Sequence, residues 1–306
     1  MRVAVIDIGT NSTRLLLADV DPGTGAVQEL QRESKVTRLG AGVDASGRLD
    51  AEAQQRVIDA VDGYRPAIEQ ADRAVALMTS AVRDSANGEQ FAHLIADRFA
   101  IGARVLTGEQ EAQLTFAGAM SVRGASPART VVIDIGGGST EFVIGAEGRI
   151  RFHVSTAAGV VRMSERHISS DPPSPQELTE LALDTRGVFH HFVPDIERGG
   201  IEAGIAVAGT ATSAAAMEMR LEPYDASRVD GHIIELATVE LLLARLAEMN
   251  EERRRDVPGL HPDRAPTIVA GMILLQEAMA LFGLEEVEVS EHDILTGGAL
   301  ELADEG

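Results

Sequence analysis

The sequence predicts an α/β protein built from two duplicated lobes, and three observations carry that expectation. The first is an internal repeat. Val5-Ile6-Asp7-Ile8-Gly9-Thr10-Asn11-Ser12-Thr13 returns as Val132-Ile133-Asp134-Ile135-Gly136-Gly137-Gly138-Ser139-Thr140, displaced by 127 residues from Asp7 to Asp134, with seven of the nine positions identical. The second is pattern. Each copy is an apolar run ending in Asp, a Gly-rich turn and another apolar run, Leu15-Leu16-Leu17 in one and Phe142-Val143-Ile144 in the other, which reads as a β-hairpin. The third is length: 306 residues with 44% hydrophobic content suffice for two cores of ordinary size.

A single hairpin with a glycine turn needs no more explanation than the positive φ that glycine permits. Two copies at domain-sized spacing, each with Asp at the strand end and a hydroxyl after the glycines, point to duplication. Duplicated lobes that face each other enclose a cleft, and clefts bind ligands. The junction is expected at Gly124-Ala125-Ser126-Pro127, just before the second copy, giving lobes 1–124 and 125–306.

The other elements follow in order. Asp50 can cap a helix carrying Val57, Val61, Tyr64 and Ile68 on one face; Ala74 to Met78 reads as a strand and about 89–99 as a helix. A further helix runs from Gly108 to about Val122. The stretch 169–176 is an exposed connection, and Ser174-Pro175-Gln176-Glu177 is a capping box opening the next helix. Ile205-Ala206-Val207-Ala208 reads as a buried strand, Gly209-Thr210 as a turn and about 211–220 as an Ala-rich helix, so that free N–H groups there could face an anion. Arg253-Arg254-Arg255 reads as the solvated last turn of a long helix.

Composition sets limits. The absence of Cys excludes disulfides, thiolate metal sites and cysteine nucleophiles. A net charge of −21 argues against a nucleic-acid partner, since duplex binding draws on Lys and Arg. No apolar stretch is long enough to span a bilayer and the N-terminus opens with a strand pattern, so a cytoplasmic protein with no membrane partner is expected. All but one of the basic residues are Arg, the exception being Lys35. An acidic protein that receives a polyanion must concentrate positive charge where it enters, and Lys35, Arg38 and Arg83 are the expected strip.

Gly9-Thr10-Asn11-Ser12 and Gly136-Gly137-Gly138-Ser139 offer backbone N–H groups and hydroxyls to phosphate oxygens. Carboxylates at the strand ends would repel phosphate directly, so Asp7 and Asp134 are candidates to hold Mg²⁺. The copies differ at one informative position, Arg14 in the first and Glu141 in the second. That difference can place an anion near Arg14 and a cation near Glu141; the alternative, both pointing to solvent, stays open at this level. Glu111 falls in the first turn of its helix, where the dipole favours a carboxylate that could serve as a base. Acidic residues are common there for structural reasons alone, and spacing favours that plainer reading.

Together these segments resemble the exopolyphosphatase and guanosine pentaphosphate phosphatase (Ppx/GppA) family, within the actin, sugar-kinase and Hsp70 superfamily of RNase H-like lobes. The resemblance covers nearly the whole chain. It runs through Asp7-Ile8-Gly9-Thr10-Asn11-Ser12, Arg38-Leu39-Gly40, the Ser80 to Asn87 segment, Gly108-Glu109-Gln110-Glu111-Ala112 and Asp134 to Glu141, then Gly159 to Glu165, Ala208-Gly209-Thr210 and Ser290 to Gly297. It implies that Glu111 is the catalytic base, that Asp134 and Glu141 serve metal and water, and that Arg83 binds phosphate. Two departures stand out. Gln110-Glu111 occupies a position where the family commonly has two acids, and Arg264-Ala265-Pro266 one where it often reads Arg-Ala-Asp. The expectation is an exopolyphosphatase that acts on short polyphosphates, with Mg²⁺ or another divalent cation. The alternative is a guanosine pentaphosphate (pppGpp) or nucleoside triphosphate phosphatase. Phosphate contacts are expected from both loops, Arg38, Arg83, Gly209 and Thr210, and a homodimer is the expected assembly.

Overall fold

A computed structural model of the chain describes residues 1–123 and 126–304. The chain divides into two units, one made of Met1–Gly124 with His292–Gly306 and the other of Ala125–Glu291. Of the expected junction, Gly124 and Ala125 lie outside the described residues.

Unit 1 holds a five-stranded sheet of β1 (Arg2–Ile8), β2 (Ser12–Val20), β3 (Val27–Val36), β4 (Arg73–Met78) and β5 (Gly102–Val105), in the order β3-β2-β1-β4-β5. The pairs β1–β2 and β2–β3 are antiparallel, β1–β4 and β4–β5 parallel. Unit 2 repeats the plan with β6 (Thr130–Ile135), β7 (Thr140–Ala146), β8 (Arg149–Thr156), β9 (Ala203–Val207), β10 (Ile233–Glu235) and β11 (Glu286–Val289). Its order is β10-β11-β9-β6-β7-β8, with β6–β7–β8 antiparallel, β6–β9–β11 parallel and β10 added at the edge. The duplicated α/β lobes expected from the repeat are therefore present, and the repeat marks the first hairpin of each sheet.

Because both faces of the unit 1 sheet are covered, β1 is apolar at almost every position. Ala4, Ile6 and Ile8 pack on one face with Val57, Val61, Tyr64, Phe91 and Ile95; Val3 and Val5 pack on the other with Leu114, Leu295 and Ala299. The helices behave much as their sequences suggest. Asp50 accepts from the N–H groups of Glu52 and Ala53 at the head of Ala51–Gly63, and Ser174 caps Pro175–Phe192 reciprocally with Glu177.

Three expectations need correction. The sequence places His292 and the residues after it in the second lobe; they fold with unit 1, because the helix Ile294–Asp304 supplies Ile294, Leu295 and Ala299 to cover the Val3–Val5 face. The Gly209-Thr210 pair is not a turn before a helix: Ala208 adopts φ 64°, and both residues lie in the first turn of Ala208–Met219. Arg254 is no solvated surface residue. It is buried on a separate short helix, Glu251–Arg255, and its Nη2 pairs with Asp171 at 2.5 Å while Asp171 also accepts from the N–H of Glu251.

The helix Ile294–Asp304 crosses the helix Gly108–Met120 at glycines. A Cβ on Gly118 would collide with the Asp293 carbonyl, and one on Gly297 with that of Leu114. Gly118→Val should therefore overpack the crossing and destabilise by about 1–3 kcal/mol. Gly187, inside Pro175–Phe192 with nothing near its missing Cβ, is the control: Gly187→Ala should leave stability unchanged or raise it by about 0.5–1 kcal/mol. Denaturant midpoints of the two variants decide the matter.

Candidate active site

The two Gly-rich loops are built alike. In unit 1 the N–H of Gly9 donates to the Ser12 carbonyl at 3.0 Å, and in unit 2 Gly136 does the same to Ser139 at 3.0 Å. Each loop is backed by the segment that follows the third strand of its sheet. Asn11 O accepts from the N–H groups of Thr37 and Arg38, and Thr10 O from Gly40; Gly136 O accepts from Val160, and Gly137 O from Val161. The backing is so close that a Cβ on Gly40 would overlap the Thr10 side chain, and one on Gly159 would come within 2.5 Å of the Gly137 and Gly138 backbone. The carbonyls of Thr10, Asn11, Gly136 and Gly137 are thus engaged by the backing segments, and the N–H groups of Gly9 and Gly136 by their own loops. Thr10 Oγ1 also lies 2.9 Å from Ser80 Oγ, which ties the first loop to the short helix that carries Arg83.

Side-chain alternation then fixes what stands behind each loop. Register partners on antiparallel strands project from the same face. In unit 1 that pairs Asp7 with Arg14, and in unit 2 Asp134 with Glu141. Arg14 donates Nε and Nη2 to Asp7 Oδ2 at 2.9 and 2.7 Å, and its Nη1 reaches Asp293, the residue before the helix Ile294–Asp304. Arg14 is 17% exposed and both carboxylates are buried. Burial opposes the Arg14 charge, but the two carboxylates outweigh it and raise its pKa. Burial also raises Asp293, where Arg14, Arg32 and the Leu295 N–H prevail and hold the carboxyl below its usual range; at Asp7 burial wins and the pKa rises. The anion-binding part suggested for Arg14 is thus taken by the protein's own carboxylates.

Glu111 is 6% exposed, and its Oε2 accepts from Arg83 Nη1 at 2.8 Å; the same Nη1 reaches the Leu106 carbonyl at 3.0 Å. Lys35, expected in a strip with Arg38 and Arg83, places its Nζ 5.1 Å from the centre of the Tyr64 ring. Arg38 is exposed beside the first loop with φ 49°. In unit 2, Glu141 is 1% and Asp134 7% exposed, and Ser155 Oγ donates to Glu141 Oε1 at 2.6 Å. Gly209 O accepts from Arg264 Nη1 at 2.5 Å, so Arg264 braces the first turn that holds Gly209 and the buried Thr210.

The fit to a divalent cation can be weighed from these donors. Among the described residues no group of three or more His, Cys, Asp or Glu converges. Two adjacent buried carboxylates on β6 and β7 nevertheless match Mg²⁺ bound beside phosphate, which commonly takes one or two carboxylates and completes its shell with water and substrate oxygens. Asp7 fits less well. Its Oδ2 is occupied by Arg14, and only Oδ1 is a buried acceptor without a hydrogen-bond partner.

Comparison with known proteins decides the family. The family model described as the Ppx/GppA phosphatase family matches residues 16–301. This chain belongs to the Ppx/GppA phosphatase family. It is 38% identical over 320 aligned residues to exopolyphosphatase 2 of Mycobacterium tuberculosis, covering 99% of this chain and 98% of that protein. The crystal structure of an exopolyphosphatase-like protein is 31% identical with a TM-score of 0.91, covering 100% and 99%. That of the Aquifex aeolicus Ppx/GppA member is 27% identical with a TM-score of 0.81, covering 100% and 99%.

Within this family's pattern, the Gln110 departure has a local reason. Thr107 and Gln110 form a reciprocal capping box, the Gln110 side chain accepting from the Thr107 N–H at 3.0 Å. A residue so committed at the helix head is turned away from the Arg83 contact that Glu111 makes. Reading the sequence missed Asp293, Ser155 and Ser80. Ser80 and Asp293 lie in segments that carried the resemblance, and no local signal distinguished Ser155 on β8.

Arg14→Met tests the ionic contact at Asp7. It would leave Asp7 and Asp293 buried without the guanidinium that pairs with both, at a cost of about 3–5 kcal/mol. Asp7, whose pKa burial already raises, would lose the guanidinium that opposes the rise, so its folded pKa would stand further above its unfolded one. The part of the deficit due to Asp7 is therefore full at neutral pH and shrinks as the pH falls through that raised value. Urea midpoints at pH 7 and pH 5 measure it, and an unchanged midpoint at pH 7 would remove the structural role.

Proposed function

We propose that this protein is an exopolyphosphatase that releases orthophosphate from the end of inorganic polyphosphate, with Glu111 as general base. The observation that carries the reading is the Glu111 carboxylate, buried at the head of its helix and gripped by Arg83. The names borne by the full-length relatives support the same substrate. A carboxylate so placed has its charge favoured by the helix dipole and by a guanidinium, and one oxygen is fixed by Arg83.

In the proposed reaction Glu111 takes a proton from water as the water oxygen forms its bond to the terminal phosphorus. The bridging P–O bond breaks, the shortened chain leaves with the electron pair, and Glu111 later returns its proton to solvent. The loop N–H groups of Thr10 to Ser12 and of Gly137 to Ser139 would bind phosphoryl oxygens, where charge spreads in the transition state, while those of Gly9 and Gly136, expected to do the same, are held by the Ser12 and Ser139 carbonyls. Arg38 and Arg83 would add positive charge, and Thr210 with the N–H of Gly209 a further donor set. Asp134 and Glu141 would hold Mg²⁺, which when bound would neutralise phosphate charge and stabilise the departing oxygen. Asp7 then serves the first loop through Arg14 rather than the cation. The net charge of −21 disfavours a long polyanion away from the loops, which supports a preference for short chains.

Glu111→Gln should lower kcat on polyphosphate by roughly 10²–10⁴-fold with substrate binding largely intact. Phosphate release from polyphosphate, guanosine pentaphosphate and ATP in parallel, with Mg²⁺ and with EDTA, checks the substrate. Turnover of the variant near the wild-type rate would remove Glu111 from the chemistry. Faster release from guanosine pentaphosphate or ATP than from polyphosphate would reassign the substrate.

A further inference from the structure

We propose that Ser155 is a positioning residue for the cation site of unit 2, orienting the Glu141 carboxylate so that it and Asp134 meet a divalent ion together. The proposal rests on the reading that Asp134 and Glu141 hold that ion.

Three strands set the geometry. Asp134 on β6 is the register partner of Glu141 on β7, and Glu141 that of Ser155 on β8. The three side chains therefore stand in one row on one face, with neighbouring Cβ atoms about 4.5–5.5 Å apart. Ser155 Oγ lies 2.6 Å from Glu141 Oε1. A carboxylate only accepts, so the serine hydroxyl is the donor, and the distance is that of a charge-assisted bond. The last torsion of a glutamate is broad and poorly defined by itself. This bond fixes the plane of a carboxylate that is 1% exposed and adjoins a second carboxylate. Like charges so close hold a defined geometry only where other contacts impose it, and a cation needs both carboxylates turned in a compatible way.

Unit 1 supplies the internal comparison. Its equivalent row is Asp7, Arg14 and Ser34, again with a serine on the third strand. There the middle position is a guanidinium whose direction is set by Asp7 and Asp293, and Ser34 is exposed. A serine in this place has a carboxylate to hold only in unit 2, where the row carries two acids. Partners of this kind, one step removed from the ion, commonly change metal affinity by about 10–100-fold when lost.

The test measures Mn²⁺ bound by the substrate-free protein, read from the electron paramagnetic resonance of free Mn²⁺, with Mg²⁺ as competitor. Ser155→Ala should weaken binding about 10–100-fold. It should also raise the Mg²⁺ concentration for half-maximal activity in proportion, with KM for polyphosphate at saturating Mg²⁺ unchanged. Ser155→Thr, which keeps the hydroxyl, should restore both. Glu141→Gln separates this inference from the reading beneath it. If Glu141→Gln abolishes Mn²⁺ binding while Ser155→Ala binds like wild type, the serine assignment alone is overturned. If Glu141→Gln also binds like wild type, the cation site itself is misplaced and the inference falls with it. Should Ser155→Ala lose secondary structure by circular dichroism, the Thr variant decides: wild-type Mn²⁺ affinity supports the role, and affinity as poor as that of Glu141→Gln overturns it.

Discussion

Arg14 between Asp7 and Asp293 is the contact on which unit 1 depends, because burying two carboxylates costs several kcal/mol each unless charge and hydrogen bonds compensate them. Asp7 cannot avoid burial: it follows Val3 and Val5 by alternation, onto the face that the helix Ile294–Asp304 covers. Asp293 stands at the start of that helix and also accepts from the Leu295 N–H, so one residue begins the helix and closes the ion pair. The strand end beneath the first loop is thereby tied to a segment 279 residues distant in sequence. Breaking that tie would disturb the loop and the sheet face together.

The same hairpin in unit 2 meets the same problem with a different residue. With Glu141 in the place of Arg14, the row changes from an internal ion pair to two neighbouring acids. Unit 1 carries a guanidinium in that row, whereas the unit 2 row carries two carboxylates side by side. This divergence between copies explains why two loops of like geometry need not do like work. Glu111 adds a second asymmetry, since the carboxylate proposed as the general base sits in unit 1 under the hold of Arg83.

Much of this was visible in the sequence because it is local. The 127-residue repeat located both hairpins, and Asp50 and the Ser174 box marked helix starts that the fold keeps; the cross-strand pairs Asp7–Arg14 and Asp134–Glu141 needed the register. What escaped detection depends on contacts remote in sequence. No local pattern says that residues after His292 return to unit 1, or that Arg254 finds Asp171 rather than water. The sequence suggests a turn at Gly209 because an alanine in left-handed conformation is disfavoured without tertiary support, which puts the expected helix start after the glycine rather than at Ala208. Glu111 is a candidate base through family resemblance alone, since its spacing is that of any first-turn acid.

Under the proposed function the two rows have separated in role, with Arg14 the resident cation of one and a divalent metal the proposed cation of the other. Mn²⁺ stoichiometry and affinity in Asp7→Asn and Asp134→Asn, each close in shape to the original, test it most directly. Wild-type Mn²⁺ affinity is expected in Asp7→Asn and loss of binding in Asp134→Asn. Loss of binding in Asp7→Asn with retention in Asp134→Asn would contradict it.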